Sequence, residues 1–580
     1  MQPTYLKPLV KNPKKFNFSV CDIESTNWIK FSIIGYYDGK NYQRFEKLSE
    51  FIQSLVKIAN SKKSARPCVF AHYGGTFDFN FIIEELHNQG MRYSLITIGA
   101  KIIQIKVFLS NKRTILFRDS SCILQGKLEK LANSFETAHR KQIGSIDFEK
   151  EQFDKTNKKH LEYAKYDCFA LYEVLEKYFS HEMIQSTGFG VTTASQAMLI
   201  FRRKFLKFPV TVTTQEIQDF CREGYYGGRV EIFKTSGKNL KLYDVNSLYP
   251  FSMKNILPVE YYAPSRNFEV FGYHDVTVHA PEMYIPILPV KMNGKLCFPC
   301  GEFRGVFFSE ELKLAVKHGY KILAHHRGER FLEYKGFFDD YVDYWYSERL
   351  KNKKGSPQEY IAKLCLNSLY GKFGQREENV SLSTEAPTTG AITRWGNDER
   401  FELTGLYEIE TFKRSPFQLV NIAAAVTSYA RIHMVKNYYL PYQDSLYYTD
   451  TDSVFTNEEL HNGKNLGEMK LEKENLSGKF RLPKCYATKC QVTKEEEIKV
   501  KGFPKQELKG INFDNFDKIN FSFENTRFST FRSSILRNKK YLSMVNTSRK
   551  IKSVYDKRRI LPNGNTEPWI IKKGEKENGI

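Results

Sequence analysis

Two aspartates, Asp450 and Asp452, stand one residue apart in "LYYTDTDSVF" (446–455), inside an otherwise apolar run. Like charges about 4 Å apart repel by roughly 4 kcal/mol at an effective dielectric near 20, so a strand that keeps both calls for a divalent cation. A second pair, Asp22 and Glu24 in "VCDIEST", is spaced so that a strand points both carboxylates from one face. Asp78 in "AHYGGTFDFNFII" precedes an apolar helix start, and Asp167 in "YAKYDC" follows Tyr163 by one helical turn. Taken singly, each acid reads equally well as a helix cap or a surface residue. Taken as four, they have the make-up of a site. Carboxylates holding two Mg²⁺ ions could polarise a phosphodiester, activate a water and stabilise the leaving oxygen, with Tyr163 orienting that water.

Two further segments carry candidate chemistry. "LKLYDVNSLYPFSM" sets Asp244 at the end of a strand-like run, followed by a turn with Tyr249. "QEYIAKLCLNSLYGKFG" reads as a helix on which Lys363, Asn367 and Tyr370 share a face, with Gly371 able to end it or to admit a backbone. Alone, either tyrosine is an ordinary core aromatic. The cysteine pairs in "CFPC" (297–300) and "CYATKC" (485–490) lack the paired spacing of a zinc ribbon. Scattered cysteines and no secretory signal point to a reducing compartment without disulfides.

The elements that must position these residues belong to more than one core, because 580 residues exceed what a single domain buries. Net charge +22 together with 14% aromatic residues favours a polyanion with faces to stack on, namely nucleic acid, over a basic protein whose charges are merely solvated. No run approaches the roughly 18 apolar residues of a membrane span, so a soluble chain is expected. To about residue 185, strand-like runs alternate with helix-like ones, which predicts a mixed α/β domain. The pattern loosens at "STGFGVTTASQ" and "GYYGGRVEIF", an interdomain connection over 186–240. Beyond it the chain reads as α+β and ends in a basic segment, "SRKIKSVYDKRRILPNGNTEPWIIKKGEK". That tail is either a solvated surface or a contact for a phosphate backbone.

In order and spacing these segments resemble the motifs of the family B DNA polymerases, and within them the protein-primed subgroup of linear phages, viruses and linear plasmids. "DVNSLYP", "KLCLNSLYGKFG" and "YTDTDS" are similar to polymerase motifs A, B and C, while "DIE", "FD" and "YAKYD" are similar to the three motifs of a 3′-5′ exonuclease. "YYGG" (Tyr225 to Gly228), "TSYAR" (Thr427 to Arg431) and "KCY" (Lys484 to Tyr486) resemble DNA-contacting segments of that group. One motif alone is weak and the ordered set is strong.

The resemblance implies an α/β and α+β multidomain fold: an RNase H-like exonuclease domain over 1–185, the connection over 186–240, palm and fingers over 241–460, and thumb with basic tail over 461–580. Longer intervals than in cellular family B enzymes imply insertions at about 258–340 and 376–415, the first for the priming protein and the second a hairpin around DNA. It further implies catalysis by Asp244, Asp450 and Asp452 in one site and by Asp22, Glu24, Asp78, Tyr163 and Asp167 in the other. Two Mg²⁺ ions are expected at each, held by Asp244, Asp452 and the Val245 carbonyl, and by Asp22, Glu24, Asp78 and Asp167. Val245, Tyr249, Lys351, Lys363, Asn367 and Tyr370 would meet the incoming dNTP, with Tyr249 excluding a ribose 2′-hydroxyl. Tyr225, Gly227, Gly228, Thr427, Arg431, Lys484 and Tyr486 would contact DNA. The implied partners of this expected monomer are template and primer DNA and a terminal protein whose hydroxyl starts the strand. The compartment is a mitochondrion if an organellar linear plasmid encodes the chain, and otherwise the host cytoplasm.

Two departures from the pattern stand out. Tyr73 occupies the place of an asparagine beside the histidine of the "FD" motif, so an amide that would hold single-stranded DNA is absent. "RDSSCIL" follows the family only loosely, leaving Ser120 and Ser121 as weak candidates for a DNA contact. The competing readings are a reverse transcriptase or RNA polymerase, and a catalytically inert nucleic-acid-binding descendant.

Overall fold

Alternation along "SVCDIEST" divides the strand Ser19–Thr26 between two layers. Cys21 and Ile23 enter a core with Phe51 and Ile82 from helices Leu48–Asn60 and Asp78–Asn88. Val20 faces the other way, onto Cys168 and Leu171 of the helix Lys158–Ser180. Asp22 and Glu24 share the parity of Val20 and therefore face the helix that carries Asp167. The computed structural model describes residues 4–13, 16–61, 66–99, 101–140, 146, 151–376, 379–384, 392–393, 407–411, 417–504, 506–519, 522–528, 544–550 and 554–572. All spatial statements concern these residues.

Ser19–Thr26 lies inside a ten-stranded sheet, between Lys30–Tyr37 (antiparallel) and Cys68–Ala71 (parallel). Thr114–Asp119, Lys101–Phe108 and Arg92–Ile98 continue the sheet outward. At that far edge the short strands of the second insertion join it, with Leu382 opposite Leu95. The described part of that insertion thus extends the first domain's sheet, and the rest of the expected DNA-encircling hairpin lies outside the described residues.

A second, seven-stranded sheet has the order Val230–Ile232, Leu446–Asp450, Ser453–Thr456, Ser236–Val245, Met469–Leu482, Cys485–Cys490, Glu496–Val500. The helix Val420–Met434 packs on it through Ala430 and Met434, which share a core with Tyr243 and Val454, while its Ala423 and Ala424 join another core with Ile361 and Leu366 of the helix Pro357–Phe373. Ser356 caps the latter by accepting from the Glu359 N–H, and Pro357 fills the first turn, where no amide hydrogen is needed. Of a five-stranded sheet, Leu257–Pro264, Gly272–Ala280, Cys300–Phe308 and Lys321–Tyr334 occupy the interval of the first insertion, and Ile570–Ile571 from the tail is the fifth strand, parallel to Cys300–Phe308. No helix among the described residues is long and apolar enough to cross a membrane.

The described tail, 554–572, fits neither reading of its charge at the residues that anchor it. Arg558 is fully buried; it donates to Thr566 Oγ1 at 2.8 Å and lies 3.5 Å from Glu231, which Arg229 holds at 2.7 Å. The Tyr555 hydroxyl accepts from the Ile232 N–H, and Lys557 donates to the Val230 carbonyl. The tail is therefore stitched to Val230–Ile232, the strand beside Leu446–Asp450. Arg558→Ala strips one of two guanidinium groups from a buried carboxylate and is expected to cost roughly 3 kcal/mol. In a urea titration the denaturation midpoint should fall, while Lys550→Ala on the exposed part of the tail should leave it unchanged.

Candidate catalytic sites

Motif A and motif C meet at adjacent strand ends, where Asp244 lies opposite Ser453. The two segments are joined by a main-chain bond from the Val245 N–H to the Asp452 carbonyl, 2.8 Å. Between Asp450 and Asp452 the chain turns through Thr451 at φ +66°. The Thr451 N–H donates to the Arg229 carbonyl at 2.8 Å, and a Cβ on Gly228 would stand 2.5 Å from Thr451 Cγ2. Glycine in "YYGG" is thus required by the close packing of that segment on the aspartate turn.

The three aspartates do not stand as equals. Lys484, in the left-handed region at φ +60°, places its ammonium 2.5 and 2.7 Å from the two oxygens of Asp450. Among the described residues, no ammonium or guanidinium pairs with Asp244 or Asp452 in this way. Burial, with Asp452 and Glu472 adding to it, pushes the Asp244 carboxyl up to about 7, and Lys470 and Lys363 pull it back. Burial also pushes Asp452 up to about 6, with Asp450 reinforcing the shift and Lys484 opposing it. These residues open onto a cleft of about 690 Å³ whose wall includes Tyr249, Lys484 and Tyr486.

Beside the cleft, Tyr249 and Tyr370 stack with ring centroids 4.7 Å apart and planes at 24°, and burial raises both phenols. Lys363 and Asn367 are exposed on the same helix, one turn apart. Lys351 sits at the end of helix Asp339–Lys351 and pairs with Glu348 at 3.2 Å. Among the residues expected to touch DNA, Gly227 is exposed and Tyr225 is half-buried against Gly374.

Two of those expectations require correction. Arg431 is buried, with two nitrogens 2.7 Å from Glu311 and a third donating to the Tyr226 and Gly227 carbonyls. Its charge is spent on tying "YYGG" to the helix. Thr427 is buried too and donates to the Ala424 carbonyl. Tyr486 is a mixed case, packed among Tyr448, Phe455 and Phe480 while its edge lines the cleft. Unanticipated cleft residues are Glu472, Lys473, Glu497 and Lys499, with Lys473 2.9 Å from Glu497 and Lys499 over the Tyr486 ring. Their signal in the sequence is only a charged strand, which is a common surface pattern.

In the first domain, Asp22, Glu24 and Asp167 offer oxygens that all lie within 4.8 Å of one another. They form the one cluster of three or more metal-type side chains among the described residues, and all ten cysteines are free thiols. Tyr163 lies one turn before Asp167 on the helix Lys158–Ser180. Asp78 stands outside the three-acid cluster. It accepts from the Ile23 N–H at 2.9 Å, and burial pushes it up to about 7. Sequence reasoning missed Asp119, which is buried, accepts from the backbone of Tyr73, Gly75 and Ser121, and pairs with Lys101 at 2.9 Å. It shapes the loop leading to Asp78. Ser120 and Ser121 are also buried; their hydroxyls bond His72, and Asp119 with Lys101, so neither is turned toward a ligand strand.

Residues 142–438 match the family described as DNA polymerase type B, organellar and viral. This chain belongs to that family. A probable DNA polymerase of Neurospora intermedia is 30% identical over 486 residues, 70% of this chain and 49% of the relative. The DNA polymerase of Streptococcus phage Cp-1 is 25% identical over 459 residues, 72% of this chain and 76% of the relative. This chain spans about half, or less, of the length of the fungal relatives it matches first. Phi29 DNA polymerase, solved in complex with single-stranded DNA, superposes with a TM-score of 0.73 at 21% identity over 93% of this chain and 100% of its own. The fold of this type B family member is therefore the expected exonuclease domain followed by palm, fingers and thumb.

The raised carboxyls carry a pH signature. Asp244, Asp452 and Asp78 hold protons in the folded state to higher pH than in the unfolded chain, where 3.8 is usual. Between about pH 4 and 7 these three groups bind more protons in the native state, so their contribution to stability falls as pH rises through that window. In the presence of a chelator, Asp244→Asn with Asp452→Asn is expected to flatten this fall. Thermal melts at pH 4.5 and 7.5 would refute the assignment if both proteins lost the same amount.

Proposed function

We propose that this chain is a template-directed DNA polymerase with a 3′-5′ exonuclease, and that it starts replication of a linear DNA element on a terminal-protein hydroxyl. The observation that carries the first part is the junction of Asp244 and Asp452, two half-buried carboxylates held together by backbone in an open cleft beside the Tyr249–Tyr370 stack. Their donor set fits a hard divalent cation, since both are oxygen ligands whose mutual repulsion such an ion relieves. Mg²⁺ bound by Asp244 and Asp452, with the Val245 carbonyl assisting, would lower the pKa of a primer hydroxyl and hold phosphate oxygens.

The protein's own groups supply the rest. Lys484 keeps Asp450 neutralised, leaving Asp244 and Asp452 as the donors. Tyr249, backed by Tyr370, is a rigid wall for the sugar edge of a nucleotide, where an added 2′-hydroxyl finds no room. Lys363 and Asn367 present their polar ends to a triphosphate, and Lys351 adds positive charge from the neighbouring helix. Lys473 and Lys499, two ammonium groups beside the single Glu497 carboxylate, favour a phosphate backbone along the cleft. Solved relatives are complexed with primer-template DNA and incoming nucleotide, and the same partners are proposed here.

The Asp22, Glu24 and Asp167 cluster supports the exonuclease, again as a hard-cation donor set, with Asp78 behind it and Tyr163 one turn from Asp167. Asp452→Ala or Asp244→Ala is expected to slow nucleotide addition about a thousandfold, roughly 4 kcal/mol of barrier, while leaving single-strand degradation intact. Asp22→Ala with Asp167→Ala should do the reverse. If either pair spares or removes both activities together, the two-site reading is wrong.

Protein priming rests on the motif set and on the inserted sheet over Leu257–Tyr334. Incubation with template, labelled dNTP and a co-encoded protein, without any oligonucleotide, should leave label covalently on that protein. Incorporation strictly dependent on an oligonucleotide primer would rule this part out.

A further inference from the structure

Twelve non-glycine residues among those described have backbone in the left-handed region, and two of them are aromatic: Trp28 at φ +63° and Tyr73 at φ +60°. Large side chains avoid this region because Cβ crowds the following carbonyl, and an outlier of this kind persists only where the surroundings hold it. Both rings are also exposed, Trp28 at 57% and Tyr73 at 42%, so part of each ring is open to a ligand. Along the chain Trp28 follows Glu24 by one short turn, and Tyr73 opens the loop that leads to Asp78.

Trp28 sits in the turn joining Ser19–Thr26, the strand of Asp22 and Glu24, to Lys30–Tyr37. Gln152 steadies that turn by donating to Asn27 Oδ1 at 2.6 Å. The indole meets Phe77 edge-on, centroids 6.2 Å apart at 79°. Phe77 immediately precedes Asp78, whose carboxylate bonds the Ile23 N–H between Asp22 and Glu24. Tyr73 begins the same loop, its N–H held by Asp119 and its carbonyl accepting from Thr76. Lys101, paired with Asp119, lies 5.3 Å from the centre of the Tyr73 ring.

We propose that Trp28, with Tyr73 as a second platform, is a positioning residue that stacks on the unpaired bases of a DNA 3′ end entering the Asp22, Glu24 and Asp167 site. The inference rests on the exonuclease reading. An exposed ring braced at a fixed angle offers a π-face that any base can use, with Lys101 adding positive charge beside Tyr73. Bases within a duplex have both faces occupied and gain nothing, so the platform selects a frayed end. Stacking of this kind also does the holding for which the chain lacks an amide at position 73.

The test uses the full chain and a single-stranded oligothymidylate. In a chelator, where no cleavage occurs, the oligonucleotide should quench tryptophan fluorescence, and Trp28→Phe should abolish most of the quenching. With Mg²⁺, Trp28→Gly should raise the KM for single-strand degradation on the order of tenfold, the scale of one lost base stack. Its kcat should stay within about twofold, and Trp28→Phe, which keeps a ring, should restore the parental KM. Glycine relieves the left-handed backbone, so the melting temperature of Trp28→Gly should not fall. A parental KM in Trp28→Gly, or a raised KM accompanied by a lower melting temperature, would overturn the proposal. Degradation that survives Asp22→Ala with Asp167→Ala would instead remove the exonuclease reading, leaving the fluorescence arm to decide whether Trp28 stacks on DNA.

Discussion

The antiparallel pairing of the strands Ser236–Val245 and Ser453–Thr456, continued by the main-chain hydrogen bond from the Val245 N–H to the Asp452 carbonyl, holds two carboxylates where neither is at ease. Burial raises both, with the Asp452 charge raising Asp244 further and Asp450 raising Asp452. The surrounding structure is organised to keep them there. The turn between Asp450 and Asp452 is gripped by "YYGG" through Arg229 and the closely packed Gly228, and that segment is in turn gripped by Arg431. Asp450 is removed from the conflict by Lys484. Strain of this sort is expected where a charged ligand completes the site, because preorganised carboxylates cost stability and repay it on binding.

The acid site of the first domain solves the same problem differently. Asp22 and Glu24 share one strand face by simple alternation, and the helix Lys158–Ser180 adds Asp167. Asp78 shapes the strand from behind through the Ile23 amide. Asp119 arranges the loop that leads to it, taking three backbone N–H groups and a lysine. One site is therefore built on a turn between strands and the other on a strand and a helix.

The excess of basic residues divides between two uses. Lys363, Lys473, Lys484 and Lys499 have their charges at or near the cleft of Asp244 and Asp452. Arg229, Arg431 and Arg558 are buried against Glu231 and Glu311, joining the tail, "YYGG" and the helix Val420–Met434 to the palm. A guanidinium suits this interior role because its planar fork satisfies a carboxylate and a carbonyl at once. Arginines near motifs are thus poor witnesses to DNA contact unless their burial is known.

Local spacing was enough to find the acids, the tyrosines and the fingers helix, because period two on a strand and 3.6 on a helix decide which side chains share a face. The family and its overall fold were legible for the same reason: short motifs in a fixed order are a one-dimensional signal. Local spacing by itself does not show why Asp452 rather than Asp450 is the expected donor, since that difference is an ammonium arriving from Lys484 in the turn between the strands Met469–Leu482 and Cys485–Cys490. Nor could it tell Arg431 from Lys484, which differ only in whether a carboxylate waits inside the fold or at its edge. Asp119, the docking of the tail through Arg558, and the exposed indole of Trp28 became visible only in three dimensions. Burial and long-range partners, which set their charge and strain, are properties of the packed chain and leave no mark in local spacing.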